Sequence, residues 1–228
     1  MKVGIFAGGF KPFHVGHFSR LCQAINTCDK TYVFYGVSSR KKGSQFRFTE
    51  KNASDVFDIT KRAIKKRYGD RVEIIKSDNP VTSAYETIIE NHNSSNTVSI
   101  FGRDSDLSKY YKSYIGTRKE RKYFANMLTE DRLSFIDSID PESILDYFPN
   151  KNRNEILDLM SLSGSKFREY IENKDIDELL NMLPPILSIS DKIEILKGFG
   201  LDIPKPKSTN HIVHPYEICD LTINDFHD

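Results

Sequence analysis

The sequence predicts an α/β protein built on a parallel β-sheet with helices packed on both faces and a helical C-terminal segment. Three observations carry this. Short β-rich runs alternate with longer stretches whose apolar residues recur at helical spacing, the pattern of strands joined by crossover helices. The first run, "KVGIF", leads through Gly8, Gly9 and Pro12 directly into an amphipathic stretch. After residue 160 the pattern becomes helical only.

The elements follow in order. "KVGIF" predicts the first strand, and "HVGHFSRLCQAI" the first helix, with Phe18, Leu21, Cys22 and Ile25 on one face. "TYVFYGV" predicts a second strand. "TEKNASDVFDITKRAIKKRY" predicts a helix that buries Ala53, Val56, Phe57, Thr60, Ala63 and Ile64, with Thr49 as its N-cap. "VEIIK" predicts a third strand, "TSAYETIIENH" a helix ended by "NHNSSN", "TVSIF" a fourth strand and "LSFID" a fifth. Later, "SGSKFREYIENK" predicts a helix. "IDELLNML" predicts another, with Ile176, Leu179, Leu180 and Leu183 on one face and Pro184 and Pro185 as its stop. "SDKIEILKGFG" predicts a third, with Ser190 as N-cap and Gly198 or Gly200 at its end. "IPKPKSTN" reads as an extended linker, and "HIVHPYEICDLTINDFHD" as a strand or an arm. The division expected is one domain over 1–200 and a tail over 201–228.

With 228 residues the chain is long enough for a sizeable core. Lys plus Arg number 33 against 32 Asp plus Glu, so bulk charge predicts neither a nucleic-acid coat nor adhesion to a membrane. Three cysteines without a CxxC pair do not make a disulfide framework or a structural zinc site. "MKVGIFAGG" does not read as a signal peptide, and no apolar run reaches the length of a membrane span. A cytoplasmic location is the expectation.

The chemistry concentrates at the first strand-to-helix turn. Parallel sheets bind ligands outside the carboxyl ends of their strands. Gly8 and Gly9 remove side chains there, and a helix beginning near His14 presents its first N–H groups, an anion site by geometry. His14 and His17 stand one turn apart beside the apolar stripe, and Gly16 between them leaves room for a phosphate. Two imidazole donors suit the charge that builds on a phosphoryl group during transfer. The plainer reading of such a pair is two solvated histidines at a helix start. G-x-G-x-x-G and the P-loop are absent, and without HExxH or a cysteine partner no protein metal site is predicted.

"GGFKPFHVGH" resembles the G-x-F-x-P-x-H-x-G-H signature of the nucleotidyltransferase superfamily, whose members share a Rossmann-like α/β fold. In wording it is most similar to nicotinamide-mononucleotide adenylyltransferases. The superfamily also carries a late Ile-Ser-x-Thr-x-x-Arg element at a helix start. "SLSGSKFREYI" resembles it through Ser163, Gly164, Ser165 and Arg168, with Ser165 in place of Thr. Independently of the family, hydroxyls at a helix start and an Arg fork suit phosphate, although a plain capped helix with a surface Arg has the same sequence. "SIFGRDSDL" resembles the element after strand four in which Gly-x-Asp lines the nucleotide pocket, here Gly102 and Asp104. The resemblance spans residues 1 to about 187. Lys11 departs from it, standing where the family often has Asp, Asn or Gln.

The resemblance implies transfer of AMP from ATP to a phosphorylated acceptor such as nicotinamide mononucleotide, with release of pyrophosphate and with Mg²⁺ carried by the triphosphate. It gives His14, His17 and Arg168 catalytic roles. Gly8, Gly9, Phe10, Lys11, Gly16, Gly102, Asp104, Ser163, Gly164 and Ser165 would then contact the nucleotide. Lys42 and Arg47, in the basic run Arg40–Arg47 after strand two, suit a phosphate on the acceptor or form a solvated loop. A cytidylyltransferase acting on a phosphorylated alcohol or sugar would share the whole site. The Tyr/Lys/Arg cluster over 109–122 fits a surface helix, a lid or an RNA-stacking face, so a non-catalytic or RNA-binding protein on the same fold is the third reading. The expected partners are a nucleoside triphosphate and a small phosphorylated acceptor, without nucleic acid or membrane, in a chain that a homo-oligomer would also suit.

Overall fold

The computed structural model describes residues 1–10, 12–36, 50–104, 107, 120–149 and 151–203. Five strands form one sheet: β1 (Lys2–Gly8), β2 (Lys30–Gly36), β3 (Val72–Ser77), β4 (Thr97–Phe101) and β5 (Leu133–Ile136). Every pairing is parallel and the order is β3-β2-β1-β4-β5. This is a Rossmann-like α/β architecture. Its strand order reverses beside β1, between β1 and β4, which is where such sheets open a crevice at their carboxyl ends.

Strand alternation sends residues to two faces. Val3 and Ile5 of β1, Phe34 of β2, and Val98 and Ile100 of β4 pack with Ala84 and Ile88 of α3 (Pro80–Asn93) and Met127 of α4 (Glu120–Thr129). Phe6, Val33, Tyr35 and Phe101 face the other way. There they meet Phe18, Leu21, Cys22 and Ile25 of α1 (Val15–Thr27), Phe57 and Ile64 of α2 (Glu50–Tyr68), and Ile156 of α5 (Arg153–Ser161). Phe18 and Leu21 are almost wholly buried, and burying a side chain of this size contributes roughly 1.5–3 kcal/mol.

A second cluster joins α6 (Gly164–Asn173), α7 (Ile176–Met182) and α8 (Ile189–Gly198) to Val56 and Ile59 of α2. Leu201 and Ile203 pack into it. A Cβ on Gly198 would lie 2.5 Å from Val56 Cγ2, so the close approach of α8 to α2 requires glycine there.

The five strands and the helices read from periodicity stand where expected. Other details are settled or corrected by the structure. The N-cap of α8 is Ser188, not Ser190: Ser188 has extended backbone, its hydroxyl accepts from Asp191 N, and Asp191 returns a bond to Ser188 N. Gly200, at φ +83°, is the residue that turns the chain after α8. In α7, Met182 is buried beside Leu179 and Leu183, while Ile176 and Leu180 are only partly so. Helix α5, started by an Asn152–Glu155 capping box, was not expected. Thr49, the linker beyond Ile203, the "HIVH" arm and residues 109–119 lie outside the described residues.

Candidate active site

The turn after β1 is built around an aromatic ring. Phe10 has φ +34°, a conformation costly for a bulky residue, and its side chain is buried. The ring packs 4.8 Å from Phe6, 5.3 Å from Phe13 and edge-on to His17 at 5.0 Å. A Cβ on Gly8 would sit 2.8 Å from Phe10 Cε1, so the space that Gly8 leaves is taken by this ring. Gly9 is different: it is exposed, and a Cβ there would meet nothing within 4 Å. Of the two glycines, Gly9 is the one beside open space.

The histidines cap their own helix. His14, with extended backbone, is the N-cap of α1, and its Nδ1 accepts from Gly16 N at 3.1 Å. His17 Nδ1 accepts from His14 N at 3.3 Å. This is a capping box made of two imidazoles, their centroids 3.8 Å apart. Each ring accepts through Nδ1, so each neutral ring carries its proton on Nε2.

Their environment holds both rings neutral. Burial, reinforced by the Arg103 guanidinium, pushes the pKa of His14 down to about 3. For His17, burial is again the largest cause. His14, Arg103 and Arg20 add to it, and the Pro12 carbonyl opposes them; the pKa lies well below the ordinary value. The pair is therefore a pair of uncharged N–H donors inside a field of positive guanidinium charge. The sequence placed them beside the apolar stripe, able to face an anion, with two solvated histidines as the plainer reading. Instead His14 is buried and His17 half-buried, because the capping bonds pull both rings back over the first turn.

The second half of the site meets the first at Gly16. A Cβ on Gly16 would lie 3.1 Å from His14 Cε1 and 3.3 Å from the carbonyl oxygen of Leu162. Leu162 immediately precedes Ser163, the N-cap of α6, whose hydroxyl accepts from Lys166 N at 3.2 Å. Gly164 begins the helix. Ser165 Oγ accepts from Arg168 Nη2 at 3.0 Å, which holds the guanidinium over the first turn. Neither α1 nor α6 has an acidic residue in its first turn, so no carboxylate offsets the positive end of either dipole.

Two arginines complete the junction. Arg103 Nη2 donates to Leu162 O at 2.6 Å. Arg20 Nη1 donates to Gly102 O at 2.7 Å and to Asp137 O at 2.8 Å, pinning the ends of β4 and β5 to α1. Gly102 is buried, with its N–H given to Ile136 O, so its backbone serves the sheet end; Asp104 is exposed in the following turn. Sequence reasoning took Gly102 and Asp104 and passed over Arg103 between them, and it missed Arg20 and Leu162.

His14, Gly16, His17, Leu162, Arg103 and the start of α6 thus converge at the carboxyl ends of β1 and β4. Lys11, Lys42 and Arg47 lie outside the described residues. Among the described residues no group of three or more His, Cys, Asp or Glu side chains is placed to hold a metal ion, and no helix is long and apolar enough to cross a membrane.

No family model and no curated protein matches the chain. Among solved structures it is similar to Plasmodium falciparum nicotinic acid mononucleotide adenylyltransferase complexed with NaAD. The identity is 18%, the match covers 88% of this chain and 96% of that one, and the TM-score is 0.51. The same enzyme complexed with APC gives 18% identity, the same coverage and a TM-score of 0.48. Thermotoga maritima TmcAL bound with alpha-thio ATP gives 14% identity, 86% and 55% coverage and a TM-score of 0.40. The first likeness is one of fold: the α/β arrangement of this chain is similar to that of the matched enzyme over most of both chains.

Proposed function

We propose that the chain is a nucleotidyltransferase that moves AMP from ATP to a phosphorylated acceptor and releases pyrophosphate. The observation that carries this reading is the apposition of the His14–His17 turn and the Ser163-capped start of α6 across Gly16, with the Leu162 carbonyl 3.3 Å from the position of a Gly16 Cβ. Two donor sets separated by about 150 residues in the chain meet at one strand end. A triphosphate is the kind of anion long enough to engage both.

In this reading an oxygen of the acceptor phosphate attacks the α-phosphorus, the bond from Pα to the bridging oxygen breaks, and pyrophosphate leaves with that electron pair. The Nε2–H groups of His14 and His17 donate to non-bridging α-oxygens as charge shifts through the transition state. Neutral imidazoles donate without giving up a proton, so no covalent or acid–base intermediate is needed. Losing one such donor typically costs about 10²–10³ in kcat. Ser163, Gly164 N–H, Ser165 and Arg168 hold the β- and γ-phosphates. Mg²⁺ carried by the triphosphate would neutralise phosphate charge there, without a carboxylate cluster of the described residues to hold it.

The acceptor reading is supported by the motif wording and by the fold likeness to a nicotinic acid mononucleotide adenylyltransferase: the acceptor is a pyridine mononucleotide, nicotinamide or nicotinic acid mononucleotide, and Lys42 and Arg47 are the residues assigned to its phosphate. The test is pyrophosphate release from ATP, CTP, GTP and UTP, each against pyridine mononucleotides, phosphorylated alcohols and sugar phosphates. The expected result is turnover with ATP and a pyridine mononucleotide. Turnover with CTP and a phosphorylated alcohol replaces this reading with a cytidylyltransferase, and no turnover with any pair overturns it.

A further inference from the structure

Arg103 has an unusual electrostatic position. Its side chain is partly buried at the carboxyl end of β4, where the strand order reverses. Its hydrogen bond is to a backbone carbonyl, Leu162 O, and among the described residues no carboxylate pairs with it. A guanidinium has five N–H donors in a planar fork. One goes to Leu162, and the others have no protein acceptor among the described residues. Among the described residues, the groups that share the histidine pair with it are neutral or positive: His14 and His17 are neutral and Arg20, on the same histidine, is cationic, while Asp104, the next residue, is exposed. Partly desolvating an arginine beside another cation without an acid is costly unless an anion completes the site. Leu162 links Arg103 to both halves of that site, since its carbonyl lies against Gly16 and its successor caps α6.

We propose that Arg103 is a substrate-binding residue of the transfer site, its free N–H donors gripping the triphosphate between the His14–His17 pair and the start of α6. The assignment rests on the nucleotidyltransferase reading and adds to Arg168 a second side-chain cation, one that neither the histidine turn nor the α6 start contains. It also gives the Leu162 bond a purpose: the bond fixes the plane of the fork, so that its remaining edge faces the phosphates rather than solvent. Binding of the triphosphate then couples β4, α1 and α6 through one side chain.

The experiment is calorimetric titration of wild type, Arg103→Gln and Arg103→Lys with tripolyphosphate, ATP and nicotinic acid mononucleotide, with thermal melting of each protein alone. Gln keeps an N–H donor for Leu162 and removes the charge; Lys keeps the charge and removes the fork. Loss of a charge-assisted bond to phosphate should weaken tripolyphosphate and ATP about ten- to a hundredfold in Arg103→Gln, and several-fold in Arg103→Lys. Affinity for the mononucleotide should be unchanged. If wild type binds tripolyphosphate and Arg103→Gln binds it equally, Arg103 is a strut and the proposal falls while the site reading stands. If the loss is confined to the mononucleotide, Arg103 serves the acceptor and the proposal falls. If wild type binds neither ATP nor tripolyphosphate, the site reading falls and the proposal with it. Should Arg103→Gln fail to fold, Arg103→Lys decides: affinity equal to wild type overturns the assignment.

Discussion

Arg103 Nη2 donates to the Leu162 carbonyl at 2.6 Å, and this bond ties the end of β4 to the residue before the α6 cap, 59 positions away. The same carbonyl lies beside Gly16, 3.3 Å from where a Cβ would stand. The candidate site is therefore a junction of three chain segments, not a pocket in one loop. Substitutions there separate what is structural in these residues from what is chemical.

His14 does two jobs with two nitrogens. Its Nδ1 caps α1, and its Nε2–H is the donor that the proposed transfer assigns to the α-phosphate. Asn is among the best N-caps, whereas Ala at such a site typically costs about 1 kcal/mol. His14→Asn should therefore be more stable than His14→Ala by about that amount in urea unfolding. Both should lose nucleotidyl transfer to a similar degree. A His14→Asn protein that keeps full activity would show that the ring serves only as a cap.

Stability should fall on mild acidification. Both imidazoles are held below the ordinary histidine value in the folded chain, His14 to about 3. Between pH 6.5 and these lowered values the unfolded chain takes up protons that the folded chain refuses, so unfolding gains with each step down in pH. Each such histidine costs about a tenfold fall in the folding constant per pH unit across that window, and nothing above it. Urea midpoints of wild type and His14→Asn from pH 7.5 to 4.5 check this: the variant should show the shallower loss.

Gly16→Ala should uncouple stability from function. Alanine gains helix propensity of about 1 kcal/mol over glycine. Against this, its Cβ would crowd the His14 ring at 3.1 Å and the Leu162 carbonyl at 3.3 Å. Neither neighbour is a loose side-chain end: the ring is held by the cap and the carbonyl by Arg103. The expected result is a melting temperature close to wild type with transfer reduced about a hundredfold, the scale that misplacement of reacting groups by about 1 Å brings.

Gly198→Ala should be destabilising without touching the site chemistry. The new Cβ would fall 2.5 Å from Val56 Cγ2, and a β-branched side chain in a helix has little rotamer freedom to yield. Overpacking of this kind costs about 1–3 kcal/mol. A lower urea midpoint with an unchanged slope, and transfer kinetics like wild type at low temperature, are expected.

The sheet and its crossover helices were legible because apolar periodicity and the Gly-Gly turn report local physics. The pairing of "GGFKPFHVGH" with "SGSKFREYI" was legible only through resemblance, and the structure supplies the contact that spacing does not contain, Gly16 against Leu162. His14 as a cap was hidden because Ser, Thr, Asn and Asp are the usual caps, and His17, which accepts the reciprocal bond from His14 N, stands where a capping box usually has Glu or Gln. For α8, Ser188 and Ser190 both offered a hydroxyl; Asp191, three residues after Ser188, decides between them. Arg103 left no local signal at all, since its partner is a backbone carbonyl far along the chain and its neighbours in charge, His14 and His17, come from another strand end.

Incubation with ATP labelled at the α-phosphate and nicotinic acid mononucleotide, followed by separation of the labelled products, decides whether the histidine turn performs nucleotidyl transfer. Wild type should form a labelled dinucleotide together with unlabelled pyrophosphate, and His17→Ala should slow that product about 10²–10³-fold while remaining folded. Labelled product formed at the wild-type rate by His17→Ala, or no labelled product with any phosphorylated acceptor, would contradict it.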